Sequence, residues 1–157
     1  MVRLIEATSK QEYQTAIQLF KEYHAAIDID LEFQNFSQEI KDIQTQYARP
    51  EGAVFLAFNN ENTPVGCVGV RKLNETSCEL KRMYLKSASR GLGIGKLMLE
   101  KSIALGKELG YQKMRLDTLQ TMHAAIGLYQ KLGFYEIDPY RFNPLEGAKY
   151  FEIKFVT

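Results

Sequence analysis

The sequence has little net charge, few cysteines and no long apolar run. A formal net charge of +1 at pH 7 leaves no broad basic face for nucleic acid and no acidic tail. No apolar stretch is long enough to span a membrane, and the N-terminus lacks the charged-then-apolar pattern of a signal peptide. We therefore expect a cytoplasmic protein that binds neither nucleic acid nor membrane.

The two cysteines, Cys67 and Cys78, do not form the close ligand cluster that metal sites usually need. A lone disulfide would be unusual in the cytoplasm. Because both residues lie in predicted strands, we expect them to be buried and reduced, and we expect no metal site.

What the sequence does contain is the balance of a globular protein, with 45% apolar and 25% charged residues in a chain of 157. That length fits one domain that buries a real core. The chain has no repeats, low-complexity tracts or linkers. We expect a single domain over residues 1–157.

The order of the periodic segments predicts a mixed α/β fold. Ser9 and Glu12 form a capping box at the start of a first helix, and Ile40, Ile43 and Tyr47 suggest a second, short one. Strands come next and then alternate with helices. The predicted strands are 4–7, 54–58, 65–70, 78–85, 114–118, 134–137 and 150–155, and the later helices are 93–109 and 121–132. This order indicates antiparallel hairpins first and βαβ units later.

The most informative segment is RGLGIGK at 90–96, which follows a predicted strand and opens a predicted helix. Glycines let the backbone approach an anion closely. The helix N-terminus adds free N–H groups and the positive end of the helix dipole. A phosphate group is therefore the expected ligand.

Several kinds of glycine-rich loop compete for this segment. A P-loop needs glycine at position 90 and serine or threonine at 97, but these are Arg90 and Leu97. A dinucleotide fingerprint that starts at Gly91 needs glycine where the chain has Lys96. A glycine-rich helix start without any ligand is a further alternative. The acetyltransferase loop, Gln/Arg-x-x-Gly-x-Gly/Ala, is filled in order by Arg90, Gly93 and Gly95.

Two flanking segments accompany the loop, ELKRMYL at 79–85 and AAIGLYQKLGF at 124–134. In this order and spacing, the three motifs resemble the GNAT superfamily of N-acetyltransferases. The resemblance covers 54–157 and is strongest over 78–137, whereas the N-terminal third fits loosely. It implies a GNAT-like acyl-CoA acyltransferase fold: a central, mostly antiparallel sheet with helices on both faces and a V-shaped gap beside the strand 78–85.

The resemblance also implies how acetyl-CoA, the acyl donor, binds. The strand before the loop pairs with the pantetheine amides, and its backbone N–H, assigned to Leu85, stabilises the oxyanion. The pyrophosphate lies on the loop, where Arg90 and Lys96 add positive charge. The implied cofactor-binding residues are Met83, Tyr84, Leu85, Arg90, Gly91, Leu92, Gly93, Ile94, Gly95, Lys96, Met122 and Tyr129.

Tyr129 matches the family tyrosine that donates a proton to the departing thiolate. Its alternative is a plain core residue on an amphipathic helix. Many family members carry asparagine where this chain has Met122. The side-chain contact that this asparagine makes with the cofactor is therefore in question, and the backbone or His123 could replace it.

An amine must lose a proton to act as a nucleophile, and two carboxylates in predicted strands are candidate bases. Glu79 falls where some superfamily members place a glutamate base, and burial against Leu80 is expected to raise its pKa. Its alternative is a structural pair with Lys81 or a neighbouring strand. Asp117 is a second candidate, and a water relay is a third.

The sequence indicates the acceptor only by class: a small amine, an amino acid or a protein amine. An expected loop over 28–37 carries acids that either attract a cationic amine or are simply solvated. A second group of residues, two arginines with a tyrosine and an asparagine, could instead bind an acceptor's carboxylate or amide. The acids are Asp28, Asp30 and Glu32, and the second group is Arg82, Tyr140, Arg141 and Asn143.

These observations predict acetyl transfer from acetyl-CoA to an amine by direct attack in a ternary complex. The alternative is a non-catalytic domain that binds or senses acyl-CoA. The intact Tyr129 favours the enzyme, and Met122 counts mildly against it. The prediction is also compatible with a homodimer.

Overall fold

The residues that a computed structural model describes, 2–27 and 35–155, contain seven strands, five α-helices and a short 3-10 helix at Ser87–Ser89. The strands are β1 (Arg3–Glu6), β2 (Ala53–Phe58), β3 (Pro64–Lys72), β4 (Ser77–Leu85), β5 (Lys113–Leu119), β6 (Tyr135–Ile137) and β7 (Ala148–Lys154). The helices are α1 (Lys10–Ile27), α2 (Phe36–Lys41), α3 (Ile43–Gln46), α4 (Ile94–Glu108) and α5 (His123–Lys131). Within these ranges no helix has the length and apolarity that a membrane span requires.

The strands form one sheet in the order β1-β2-β3-β4-β5-β7-β6. Neighbours pair antiparallel except β4 and β5, which run parallel because α4 connects them as a crossover. The expected mostly antiparallel sheet is therefore confirmed, with its one parallel pair directly around the glycine loop.

Both faces of the sheet carry a core, as alternation along β2 requires. Phe55 and Ala57 belong to the cluster that α4 and α5 cover, whereas Val54 and Leu56 belong to the cluster beneath α1, α2 and α3. Helices thus lie on both faces, as expected. The free thiols of Cys67 and Cys78 are buried, one in each cluster.

The predicted strands and long helices lie within two residues of the observed bounds, and two other predictions were wrong. The capping box at α1 is present: the Glu12 amide donates to Ser9 Oγ at 3.1 Å, and the Ser9 amide donates to Glu12 Oε1 at 3.0 Å. The predicted second helix is instead two short ones, because Asp42 leaves helical geometry and accepts a side-chain bond from Gln38. The expected loop over 28–37 was wrong at Phe36 and Ser37, which lie in α2, while 28–34 fall outside the described residues.

The parallel pair β4–β5 separates along its length. Ser77, Cys78 and Glu79 pair with Lys113, Met114 and Arg115, and both strands continue beyond these residues without pairing to each other. The expected V-shaped gap is therefore present, and it begins after Glu79.

Gly69 in β3 provides a stability test, because a Cβ there would lie 2.5 Å from Cε1 of the fully buried Tyr47. We expect Gly69→Ala to lower the free energy of unfolding by about 1–3 kcal/mol through overpacking. The matched control is Gly127→Ala in α5, where a Cβ meets nothing within 4 Å. It should be neutral or stabilising by up to about 1 kcal/mol. Urea unfolding measures both, and an undiminished stability in Gly69→Ala would contradict the packing.

Candidate functional site

The gap between β4 and β5 opens into a cleft of about 950 Å³. Its walls are the ends of these two strands, the glycine loop at the start of α4, the start of α5, and one face of the last turn of α1. The cleft therefore joins a helix N-terminus to unpaired strand backbone, which suits a long ligand with a phosphate at one end.

The glycine loop needs its glycines for backbone conformation. Gly91 and Gly93 have φ of +80° and +81°, a region that side chains disfavour, and Gly93 is the residue that precedes α4. At Gly95 an added Cβ would lie 3.5 Å from Cε of Met83, inside the cleft. No side-chain hydrogen bond caps α4, so its first N–H groups remain available to a ligand.

The backbone of Leu85 is directed toward the cleft. The next amide, that of Lys86, donates to the Val65 carbonyl in β3 at 2.8 Å. Because successive residues of a strand address opposite edges, the N–H and C=O of Leu85 point away from β3. The Leu85 carbonyl accepts a bond from Nε of Arg90 at 3.0 Å, which ties the loop to the end of β4.

The cleft brings together nearly all of the residues implied to bind the cofactor. Leu92 is the exception, because it is 70% exposed and does not line the cleft. The others all line the cleft: Met83, Tyr84, Leu85, Arg90, Gly91, Gly93, Ile94, Gly95, Lys96, Met122 and Tyr129.

Tyr129 lies on α5 at the wall of the cleft and is also part of the core. Its ring packs on Phe134 and Phe151, with centroids 5.7 Å and 6.4 Å away. Burial raises the pKa of the Tyr129 phenol well above its usual range. The hydroxyl therefore keeps its proton at neutral pH, as a proton donor requires.

Met122 precedes α5 and lines the cleft with a thioether in place of an amide. The hydroxyl of Thr118 donates to its Sδ at 3.3 Å, which fixes the side chain against β5. His123 and Thr121 line the cleft on either side. Polar groups thus remain beside Met122 although the asparagine is missing.

Glu79 is completely buried among cations and lies outside the group of residues that line the cleft. It pairs with Arg141, accepts from Nε of Arg71 at 3.2 Å, and accepts from the Tyr140 hydroxyl at 2.7 Å. Burial acts to raise the pKa of Glu79, but Lys81, Arg141 and Arg71 outweigh it and lower the pKa to about 2. The expectation of a raised pKa was wrong, because it counted burial and left out the charges of these three cations.

Lys81 and Asp117 are the charged pair that does face the cleft. Their side chains are 3% and 6% exposed, and Nζ lies 3.8 Å from Oδ1. Burial lowers the pKa of Lys81 to about 8, although the carboxylates of Glu79 and Asp117 oppose this. The sequence predicted Asp117 as a candidate base but Lys81 only as a candidate ion-pair partner of Glu79. Alternation along β4 from Glu79 could have found Lys81.

The residues considered for acceptor binding fall into two groups. Arg82 is bound by the carboxylate of Glu39, and Tyr140 and Arg141 are bound to Glu79, so these side chains serve the protein's own carboxylates. Asn143 donates to Asp117 Oδ2 at 3.4 Å and so borders the cleft. Asp28, Asp30 and Glu32 lie outside the described residues. Tyr23 of α1 also lines the cleft, and helical spacing alone gives no signal of this.

Comparison with known proteins agrees with this geometry. The sequence model of the acetyltransferase (GNAT) family matches residues 13–134. An uncharacterised N-acetyltransferase of Dictyostelium discoideum is 34% identical, with 92% of this chain and 94% of the relative covered. An uncharacterised N-acetyltransferase of Schizosaccharomyces pombe is 36% identical, with 87% and 84% covered.

Solved structures have the same fold. A GNAT-family acetyltransferase of Staphylococcus aureus superposes with a TM-score of 0.80 at 25% identity, over 98% of this chain and 99% of that one. A GNAT-family acetyltransferase of Elizabethkingia anophelis, solved with acetyl-CoA bound, has a TM-score of 0.69 at 18% identity, over 98% of each chain.

The lowered pKa of Glu79 makes its contribution to stability dependent on pH. A carboxyl whose pKa drops from 4.5 to about 2 on folding stabilises the fold above pH 4.5, and this stabilisation is lost as the pH falls toward 2. The loss of unfolding free energy in Glu79→Gln should therefore be largest above a pH of about 5 and shrink on acidification. Urea titrations at several pH values measure it.

The matched control is Glu75→Gln, whose side chain is 90% exposed and pairs with Lys72 at the surface. It should change stability little at any pH. A Glu79→Gln loss that is constant or grows on acidification would contradict the ion-pair account.

Proposed function

The chain belongs to the GNAT family of acetyltransferases, and we propose that it transfers acetyl from acetyl-CoA to an amine by direct attack in a ternary complex. The observation that carries this proposal is one cleft that contains the gap between β4 and β5 beyond Glu79 (the fork), the glycine loop and Tyr129. The relatives named N-acetyltransferases favour an enzyme over a non-catalytic binding domain.

The pyrophosphate of acetyl-CoA lies on the N–H groups of residues 91–96 in this proposal. Positive φ at Gly91 and Gly93 turns the backbone there, and the cleft side of Gly95 has no Cβ to obstruct the phosphate. The ammonium of Lys96 adds charge, whereas Arg90 acts mainly by joining the loop to Leu85. The Elizabethkingia anophelis protein, which has this fold, was solved with acetyl-CoA bound, and this supports acetyl-CoA as the donor.

The pantetheine arm occupies the fork and bonds with the β4 backbone at Met83 and Leu85. Tyr84, whose backbone pairs with Cys67 in β3, lines the cleft with its side chain. The Leu85 N–H points away from β3, and we assign it to the thioester oxygen, where negative charge develops during attack. A fixed backbone donor in a water-poor cleft stabilises this charge without having to reorganise.

Proton transfers complete the reaction. The amine nitrogen attacks the thioester carbon, a C–N bond forms, and the C–S bond breaks. The thiolate takes the proton of the Tyr129 hydroxyl, which burial holds protonated. The amine's proton goes to Asp117, directly or through water, because Asp117 faces the cleft whereas Glu79 is enclosed by cations. Glu79 then serves to hold Arg141 and Tyr140 in place.

The first test is cofactor binding. Acetyl-CoA should raise the Tm, because a ligand that binds the folded state stabilises it. Gly95→Asp should abolish the shift by placing a carboxylate where the pyrophosphate lies. Gly127→Asp, the same change at a glycine outside the cleft, should keep it. An undiminished shift in Gly95→Asp would mean that the loop holds no phosphate.

The second test addresses the proton donor. Tyr129→Phe removes the hydroxyl and keeps the ring packed on Phe134 and Phe151. We expect kcat to fall by about two to four orders of magnitude while the Kd for acetyl-CoA changes little. Release of CoA thiol with a panel of amines measures turnover. Full activity would reduce Tyr129 to a core residue.

The third test separates the two carboxylates. Asp117→Asn should lower kcat/KM most near neutral pH and recover toward high pH, where the acceptor amine is already deprotonated. Glu79→Gln should lower kcat/KM by one and the same factor at every pH, because Glu79 holds Arg141 and Tyr140 in place and takes no proton from the amine. A pH-dependent loss in Glu79→Gln alone would reverse these roles, and no loss in either variant would leave a water relay.

A further inference from the structure

An irregularity in β4 lies between Glu79, the last residue paired with β5, and the cofactor-binding residues Met83–Leu85. Cys67 pairs with Tyr84 and Gly69 pairs with Lys81, so β4 has one residue more than β3 across this stretch. Such a bulge re-aims the strand that carries it. Its centre is Arg82, which has φ +55°, a left-handed conformation that residues with a Cβ rarely adopt.

A buried ion pair holds this residue. Nη2 and Nε of Arg82 donate to Oε1 and Oε2 of Glu39 at 2.7 Å and 3.1 Å, and the two side chains are 3% and 1% exposed. The Tyr47 hydroxyl donates to the same carboxylate at 2.8 Å. The Phe36 ring lies 5.3 Å from the guanidinium carbon. These contacts join α2 and the end of α3 to the bulge.

The Arg82 backbone is held as well, since its carbonyl accepts a bond from Sγ of Cys67 at 3.3 Å. The pKa of Glu39 is lowered: burial opposes this, but the bond and charge of Arg82 outweigh it. Glu39 is therefore ionised at neutral pH, and the pair is a fixed two-pronged contact. Within β4 the bulge comes after the last residue paired with β5 and before Met83–Leu85.

We propose that the Glu39–Arg82 pair is a positioning device that keeps Arg82 left-handed and so aims the backbone of Met83–Leu85 into the cleft. This rests on the proposed function, since that stretch contains the backbone groups assigned to pantetheine and the thioester. Glu39 and Arg82 are positioning residues here, because they act through the strand and touch neither reacting atom.

A different role for Arg82 would be to bind an acceptor carboxylate with its guanidinium, since it also lines the cleft. A glycine substitution at position 82 distinguishes the two roles. Glycine adopts positive φ readily and needs no side chain to be held there. If the side chain acts only by holding the backbone, glycine replaces it, whereas alanine does not. If the guanidinium binds the acceptor, glycine and alanine fail equally.

The experiment compares Arg82→Ala with Arg82→Gly, both made in a Glu39→Gln background. That background leaves no buried carboxylate unpaired when the arginine is removed, which protects the fold. Wild-type protein is the reference, because Glu39→Gln alone already breaks the ion pair and should itself displace the Met83–Leu85 amide shifts. Circular dichroism and Tm establish that each variant is folded. The readouts are the amide NMR shifts of Met83–Leu85 without ligand, the Kd for acetyl-CoA, and the KM for the acceptor amine.

Alanine should displace the Met83–Leu85 amide shifts and weaken acetyl-CoA binding by about tenfold, the cost of a left-handed residue with a Cβ. Glycine should return the shifts and bring the Kd to within about threefold of the reference. Equal shifts and equal Kd in the two variants would overturn the proposal. A rise confined to the acceptor KM in both would establish the guanidinium as an acceptor ligand instead.

The NMR readout keeps this test separate from the proposed function. If wild-type protein binds no acetyl-CoA, the proposed function fails, while the amide shifts still show whether the pair positions the strand. If wild-type protein binds acetyl-CoA and the shifts are the same for alanine and glycine, only the positioning role fails.

Discussion

The separation of β4 from β5 after the Glu79–Arg115 pair is the constraint on which the site depends. Parallel strands that stayed paired to their ends would satisfy their own backbone groups and leave no cleft. Because they part, the far edge of β4 requires other hydrogen-bond partners, and the amides of a pantetheine arm are suitable ones. The crossover α4 then places its N-terminus at the mouth of the same gap, so one topological feature supplies sites for both the thioester arm and the phosphate.

Charged residues on β4 and β5 are buried and paired beside the cleft. Each buried charge described there has an opposite charge nearby: Glu39 for Arg82, Asp117 for Lys81, and Arg71 with Arg141 for Glu79. Burying such ions is unfavourable unless they are paired and hydrogen-bonded, so the pairs constrain where the backbone can lie. The cleft is thus lined by the charged residues Lys81, Arg82 and Asp117, whereas the core between the sheet and helices α4 and α5 is apolar.

Sequence reasoning predicted the features that depend on local pattern. The glycine loop, the capping box at Ser9 and the alternating strands are set by neighbouring residues, and three spaced motifs defined the family. It failed where long-range contacts decide. The pKa of Glu79 depends on its neighbour Lys81 but also on Arg141, which is far along the chain, and on Arg71 in β3. The left-handed Arg82 of β4 is bound to Glu39 in α2. The residues that would face an acceptor are harder still to predict, since α1, β4 and β5 line the cleft from separate parts of the sequence.

The most direct measurement of the central claim is a crystal structure of the protein with acetyl-CoA. The account predicts the pyrophosphate on the amides of residues 91–96, the pantetheine arm between β4 and β5, and the thioester oxygen within hydrogen-bond distance of the Leu85 N–H. It also predicts that the sulfur lies near the Tyr129 hydroxyl. A pantetheine arm bound outside the fork, or a thioester remote from both Leu85 and Tyr129, would contradict the account.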